Sequence, residues 1–180
     1  QAVCDLEKGV LSSDLPWKNL NFFGFWFYIS KFYEVLDTII MLLKGRPSSL
    51  LQSYHHSGAM MCMWAGIRYQ SPPIWIFVVF NSFIHTLMYF YFSLSCLKIQ
   101  VPKVFKRTLT SLQITQFIVG GSTAVLHAFL KYTDSNTGLK EHCIESPERA
   151  MALYINVVYL APLTALFAAF YVESYLKRAK

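Results

Sequence analysis

The chain alternates long apolar stretches with short polar connections. Apolar runs cover residues 22–43, 50–67, 74–97, 108–130 and 150–174. A helix needs about 20 such residues to cross the hydrocarbon core of a bilayer. The pattern predicts five transmembrane helices, the second being the shortest and polar at its start. Turn signals punctuate the connections: "GRPSS" after the first run, "SPP" before the third, and "TDSNTG" in the longest connection, 131–149. "SPERA" reads as a helix start, with Ser146 as cap, Pro147 in the first turn and Glu148 beside the positive helix end. Residues 1–20 form a polar, partly aromatic approach segment, too polar to supply the apolar core of a cleavable signal peptide. The sequence holds no repeat, low-complexity tract, glycine-rich phosphate loop, CxxC zinc pattern or dinucleotide fingerprint. Residues 1–180 therefore read as one all-α membrane domain. The chain begins with Gln1 rather than Met, which reads as a processed form or an internal fragment.

Composition strengthens the membrane reading. Hydrophobic residues make up 54% and charged residues 14%, against about 25% charged in soluble domains. The charges also give an orientation. Lys44 and Arg46 follow the first run, Lys98, Lys103, Lys106 and Arg107 follow the third, and Lys177, Arg178 and Lys180 close the chain. Acidic residues occupy the other connections: Asp5, Glu7 and Asp14, then Asp134, Glu141, Glu145 and Glu148. Basic loops face the cytoplasm, so the C-terminus is expected there. The net charge of +6 reads as topology plus attraction to anionic headgroups, not as a nucleic-acid surface. Cys62 and Cys96 fall within runs, whereas Cys4 and Cys143 fall in lumenal segments, where disulfides can form. These two are a candidate disulfide; the alternative is a pair of free thiols.

The informative residues are those a bilayer excludes, because ionisable groups in spans face a bundle interior or a cavity. "SKFYEVLDT" places Lys31, Glu34, Asp37 and Thr38 on one arc of the first helix. Lys31 and Glu34 read as a buried ion-pair network, and Asp37 as a group that orients a histidine or a substrate. Gln52, His55 and His56 share a face of the second helix. Asn81, His85, Tyr89 and Phe92 form a stripe on the third, with Met88 beside it. Thr110, Gln113 and Gln116 recur at intervals of three on the fourth. His127 and His142 lie at or beyond the opposite boundary and are assigned no chemistry.

Three chemistries compete for this cluster. A metal-dependent lipid desaturase or hydroxylase needs more histidines at one depth than the three present, so metal is disfavoured. A transporter would use Glu34, Asp37 and the histidines as a proton relay. Nucleophilic catalysis would carry an acyl group on imidazole, with a second histidine as acid or base and amides as oxyanion donors. Cys62 is a competing nucleophile, but no cation sits beside it in sequence to stabilise a thiolate.

The ordered motifs decide among these by resemblance. "KFYEVLDT", "QSYHH", "NSFIHTLMYFYF" and "TSLQITQ" resemble the fatty-acid elongases of the endoplasmic reticulum, the very-long-chain 3-oxoacyl-CoA synthases. "QSYHH" matches that family's H-x-x-H-H box with Gln52 in the first position. Phe92 replaces the last Tyr of its third motif. The resemblance implies a seven-helix barrel, of which this chain is similar to the last five helices, around a narrow acyl tunnel. It implies condensation of acyl-CoA with malonyl-CoA to 3-oxoacyl-CoA, CoA and CO2, with no metal and no cofactor. His55 is then the expected nucleophile, with His56 and His85 in proton transfer or carbonyl polarisation. Gln52, Asn81, Tyr89, Gln113, Gln116, Lys31, Glu34 and Asp37 are expected to support the site or orient substrate. The Gln-x-x-His-His form is similar to a subset acting on polyunsaturated acyl chains. The implied setting is the endoplasmic reticulum membrane, with a ketoreductase, a dehydratase and an enoyl reductase as partner enzymes and a homodimer as a further expectation. The basic residues around the cytoplasmic mouth are expected to attract CoA phosphates.

Overall fold

The computed structural model describes residue 4 and residues 20–133 and 137–177. The approach segment other than Cys4 and Leu20, the acidic residues Asp5, Glu7, Asp14 and Asp134, and the basic Arg178 and Lys180 lie outside the described residues.

Five long helices account for most of the described chain: α1 (Leu20–Leu43), α2 (Leu50–Arg68), α3 (Ile74–Cys96), α4 (Lys103–Leu126) and α5 (Pro147–Tyr171). A π-helical turn, Val172–Leu176, prolongs α5. After α1 the chain turns at Gly45, whose φ of +69° is a left-handed conformation that lacks a steric cost only without a Cβ. Ser49 then caps α2, its Oγ accepting from the Gln52 amide at 3.1 Å. Ser146 caps α5 in the same manner, accepting from the Arg149 amide at 3.3 Å.

The fourth helix is shifted from its predicted range of 108–130. It starts at Lys103, directly after Pro102. Lys103, Lys106 and Arg107 fail a hydropathy test yet belong to the helix, because charged side chains with long apolar stems are good helix formers. It ends at Leu126. The chain then enters a short antiparallel hairpin, β1 (Lys131–Thr133) and β2 (Lys140–His142), with Tyr132 opposite Glu141. Cys143 follows β2 and is disulfide-bonded to Cys4.

Packing closes the helices into a ring. α1 packs on α2, α2 on α5, α5 on α4, α4 on α3, and α3 back on α1. The interior holds charged and polar groups beside its apolar core, and much of the outside is apolar. Lys31 and Glu34 are 3% and 7% exposed, while their α1 neighbours Phe32 and Tyr33 are 49% and 68% exposed. That inversion suits a lipid solvent, which rewards an apolar exterior and forces polar groups to find partners within.

Among the described residues, three helices are long and apolar enough to cross a membrane: Ile74–Cys96, Lys103–Leu126 and Pro147–Leu176. The sequence expectation was five. α1 and α2 differ because each carries the polar residues that turn inward: Lys31, Glu34 and Asp37 on α1, and Gln52, His55 and His56 on α2. Their lengths of 24 and 19 residues correspond to about 36 and 28 Å at 1.5 Å per residue, near the thickness of a hydrocarbon core.

The ring centre is filled by Cys62, Phe117, Tyr159, Leu160 and Leu163, from α2, α4 and α5. Met63, Ile74 and Val78 form a second cluster toward the end that carries the disulfide.

Candidate active site

A cavity of about 760 Å³ opens inside the ring at the end that carries the basic connections, with Lys44 on its wall. Each helix contributes. Glu34 and Asp37 come from α1, Gln52, His55 and His56 from α2, His85, Tyr89 and Phe92 from α3, Gln113 from α4, and Phe167 and Phe170 from α5. The histidines converge: the His55 ring centroid lies 5.5 Å from that of His56 and 6.0 Å from that of His85. Helical spacing put His55 and His56 side by side, but only the ring closure brings His85 to them.

Behind the histidines lies a charge network. Lys31 donates to Glu34 Oε1 at 2.5 Å and to Asn81 Oδ1 at 2.7 Å. Its ammonium also sits 4.1 Å from the Phe27 ring centroid, a cation–π arrangement. A buried ammonium is tolerated only when its charge and its donors are matched, and Glu34, Asn81 and Phe27 do this. His85 Nδ1 is 3.3 Å from the same Glu34 oxygen. That separation suits an ion pair but the geometry is off line for a hydrogen bond, and both His85 Nδ1 and Glu34 Oε2 stay without a hydrogen-bond partner among the described residues.

His55 is held from α5. Its Nδ1 lies 3.1 Å from the Tyr159 hydroxyl oxygen, and that hydroxyl donates to the His55 carbonyl at 3.0 Å. Tyr159 reaches α2 because Gly58 leaves room: a Cβ at position 58 would overlap the Tyr159 ring. Tyr54, also on α2, stacks on the Tyr159 ring, with ring centroids 5.5 Å apart, and donates to the Tyr159 carbonyl at 3.3 Å. Neither Tyr159 nor Gly58 was singled out from the sequence. The available signal was weak: Asn156 and Tyr159 are polar-bearing residues three apart on an apolar helix, and Gly58 is a glycine in mid-helix.

The other expected residues divide into two groups. Gln52 Nε2 donates to Thr38 Oγ1 at 3.0 Å, tying α2 to α1 beside the cavity. Tyr89 donates to Asp37 Oδ2 at 3.4 Å, and Gln113 Nε2 approaches Met88 Sδ at 3.9 Å. Lys31, Asn81 and Gln116 instead line a small inner cavity of about 30 Å³, which His55, Cys62 and Tyr159 also touch. Gln116 and Phe117 lead on from it to a further recess against Gly120 and Gly121. Thr110 turns to the Tyr175 hydroxyl at 3.2 Å, away from the histidines. Cys62 is buried in the inner cavity wall with Lys31 across it, and its Sγ points to the Ile155 carbonyl at 3.9 Å.

A metal was tested against this donor set. Glu34, His55 and His85 each offer a ligand atom, all within 4.8 Å of one another. The ammonium of Lys31 already occupies the Glu34 oxygen. A divalent ion there would face a fixed like charge at close range in a medium of low dielectric. The residues fit a lysine-centred cluster better than a metal centre.

The basic residues are not equivalent. Arg107 Nε donates to the Tyr171 hydroxyl at 2.8 Å, and Lys106 Nζ lies 5.3 Å from the Tyr91 ring centroid. Lys44 lines the cavity itself.

Comparison with known proteins adds an independent line. The family model described as GNS1/SUR4 family (ELO) matches residues 1–180. Fatty acid elongase 2 of Trypanosoma brucei brucei is 32% identical over 161 residues, covering 87% of this chain and 58% of that protein. Long chain fatty acid elongase 1 of Caenorhabditis elegans is 32% identical, covering 86% of this chain and 52% of that protein. Fatty acid elongase sre1 of Dictyostelium discoideum is 35% identical, with 84% and 54% covered. The chain thus spans about half the length of the curated relatives it matches. No solved structure matches.

Proposed function

We infer the function from one premise: the chain belongs to the GNS1/SUR4 (ELO) family. We propose that it is the histidine-bearing part of a fatty-acid elongase, condensing a long-chain acyl-CoA with malonyl-CoA to give 3-oxoacyl-CoA, CoA and CO2. The observation that carries this reading is the convergence of His55, His56 and His85 on one cavity open at the basic end.

In the proposed reaction His55 attacks the thioester carbonyl and CoA leaves, giving an acyl-imidazole. Malonyl-CoA then loses CO2, and its enolate attacks the acyl carbon. His85 and His56 flank the reacting carbon and polarise carbonyls or move protons. Gln113 stands on the cavity wall as an amide donor for an oxyanion. Lys31, Glu34 and Asn81 hold the floor rigid, Gln52 ties α1 to α2, and Asp37 orients Tyr89. Gln116 lies along the path that the acyl tail takes, from the histidines through the inner cavity, which all five helices line, toward the recess between α3, α4 and α5. Lys44 is the rim cation best placed for CoA phosphate.

No metal or redox cofactor enters this step. A ketoreductase, a dehydratase and an enoyl reductase would complete the cycle, because a 3-oxoacyl thioester must be reduced, dehydrated and reduced again to become a saturated chain. The expected setting is the endoplasmic reticulum membrane, with the basic end and the C-terminus in the cytoplasm, supported by Lys44, Lys98, Lys103 and Lys106 lying at one end of the helices. Gln52 at the head of the box favours polyunsaturated acyl chains, and a homodimer is part of the same proposal.

The test is acyl trapping. The protein is incubated with labelled acyl-CoA without malonyl-CoA, and the adduct is mapped by mass spectrometry. A label on His55, lost when malonyl-CoA is added with a product two carbons longer, supports the reading. Malonyl-dependent product with His55→Ala at full turnover refutes the assignment. Ion-coupled flux with no malonyl-dependent product replaces the elongase by a transporter.

A further inference from the structure

We propose that Tyr159 is the positioning residue that sets the tautomer of His55 and leaves Nε2 free to react. This rests on the elongase reading only for its kinetic consequence; the tautomer itself is a property of the fold.

The Tyr159 hydroxyl has a single hydrogen, and its oxygen lies 3.0 Å from the His55 carbonyl, which can only accept, so both contacts of this oxygen are hydrogen bonds only when the hydrogen goes to the carbonyl. The same oxygen lies 3.1 Å from His55 Nδ1. With its hydrogen committed, that oxygen can only accept, so Nδ1 carries the proton and Nε2 carries the lone pair. One residue therefore reads both the backbone and the ring of the same histidine.

The arrangement is built rather than incidental. Tyr159 is buried in the ring centre, stacked on Tyr54 and seated over Gly58, where any side chain would collide with its ring. His55 and Gly58 are three apart on α2, so the glycine lies one turn along the face from which the hydroxyl approaches. No other hydrogen-bonding partner of the His55 ring is found among the described residues.

The consequence for acyl transfer is a closed proton balance. Nε2 forms the new bond to the acyl carbon, the carbon–sulfur bond breaks, and CoA leaves as a thiolate. The ring becomes an acyl-imidazolium that keeps its Nδ1 proton, and the Tyr159 oxygen faces the positive charge. Decarboxylation of malonyl-CoA leaves an enolate, which takes the acyl carbon and returns the electron pair to Nε2. His55 ends in the tautomer in which it began, with no proton transferred at either nitrogen. The CoA thiolate takes its proton from water.

The test begins with the tautomer. Nitrogen-15 spectra of histidine-labelled protein in lipid, with His55 assigned by its loss in His55→Gln, report which ring nitrogen bears the proton. A protonated Nδ1 and bare Nε2 in the wild type, moving toward the reverse in Tyr159→Phe, is the expected result. A wild-type His55 protonated at Nε2, or identical spectra in the two proteins, overturns the proposal whatever the activity. The kinetic arm follows. Losing a hydrogen bond to a developing charge slows acyl transfer by roughly 10- to 100-fold, with KM for acyl-CoA unchanged. Tyr54→Phe, which keeps the stacked ring and leaves the Tyr159 hydroxyl in place, should retain the wild-type tautomer and rate. A wild-type rate in Tyr159→Phe together with lost activity in His55→Ala overturns the Tyr159 proposal and leaves the elongase reading standing.

Discussion

Lys31 and Asn81, fifty positions apart in sequence, are joined by a 2.7 Å hydrogen bond in the interior of the ring. The bond locks α1 against α3 at the level where His85 meets Glu34. It also makes the ammonium the cation of the site, with Glu34 as its counter-charge.

Replacing Lys31 by Met leaves Glu34 buried without its cation. Breaking one side of a buried pair costs about 3–5 kcal/mol. A large drop in the thermal unfolding midpoint in detergent is expected. The double variant Lys31→Met with Glu34→Gln should recover part of it, because no lone charge remains. A single variant as stable as wild type would show that the pair is solvated.

Gly58→Ala introduces a Cβ into the Tyr159 ring. Overpacking of this kind costs roughly 1–3 kcal/mol. The ring must withdraw from α2, so acyl transfer to His55 should fall along with stability. Tyr159→Leu in the Gly58→Ala background should restore stability without restoring the rate. Adduct formation at the wild-type rate in Gly58→Ala would show that Tyr159 can shift without consequence.

Gln52→Leu removes the tie to Thr38. Side-chain hydrogen bonds between membrane helices average about 0.6 kcal/mol, so a small loss of stability is expected. The acyl adduct on His55 should still form, since the Gln52 side chain is hydrogen-bonded to Thr38 and, among the described residues, to no histidine ring. Loss of the adduct would give Gln52 a direct chemical role.

Gly120→Leu fills the recess beyond Phe117, where the added side chain would press on Ile76. If the acyl tail runs from His55 through the inner cavities, the longest products should become shorter by several carbons. Product mass after overnight elongation is the readout. An unchanged product distribution places the tail elsewhere.

Chelation should leave turnover unchanged. The acidic ligand that a metal would need is already bound by Lys31. Activity that disappears with EDTA and returns with one specific divalent ion would overturn the lysine-centred description.

The sequence carried much of this architecture because a bilayer makes polarity expensive. Apolar runs located the helices, and Lys31, Glu34, Asn81 and the histidines stood out as residues that lipid excludes. The same logic erred at the edges. α4 begins at Lys103 rather than 108, since hydropathy scores the charged ends of Lys and Arg and ignores their apolar stems. α1 and α2 carry several of the inward polar groups, and these lower the apolar character by which spans are recognised.

Sequence by itself determined which polar residues share a helix face with His55, because helical spacing fixes its neighbours on its own helix. Its ordered motifs resemble one family, and the model of that family matches residues 1–180. Tertiary structure alone decided which helix faces which. The ring order α1, α2, α5, α4, α3 seats Tyr159 against His55 although they lie 104 positions apart. A tyrosine in an apolar helix looks like packing until the partner of its hydroxyl is known. That partner is set by which interior faces meet, a property of how all five helices close together and not of any one segment.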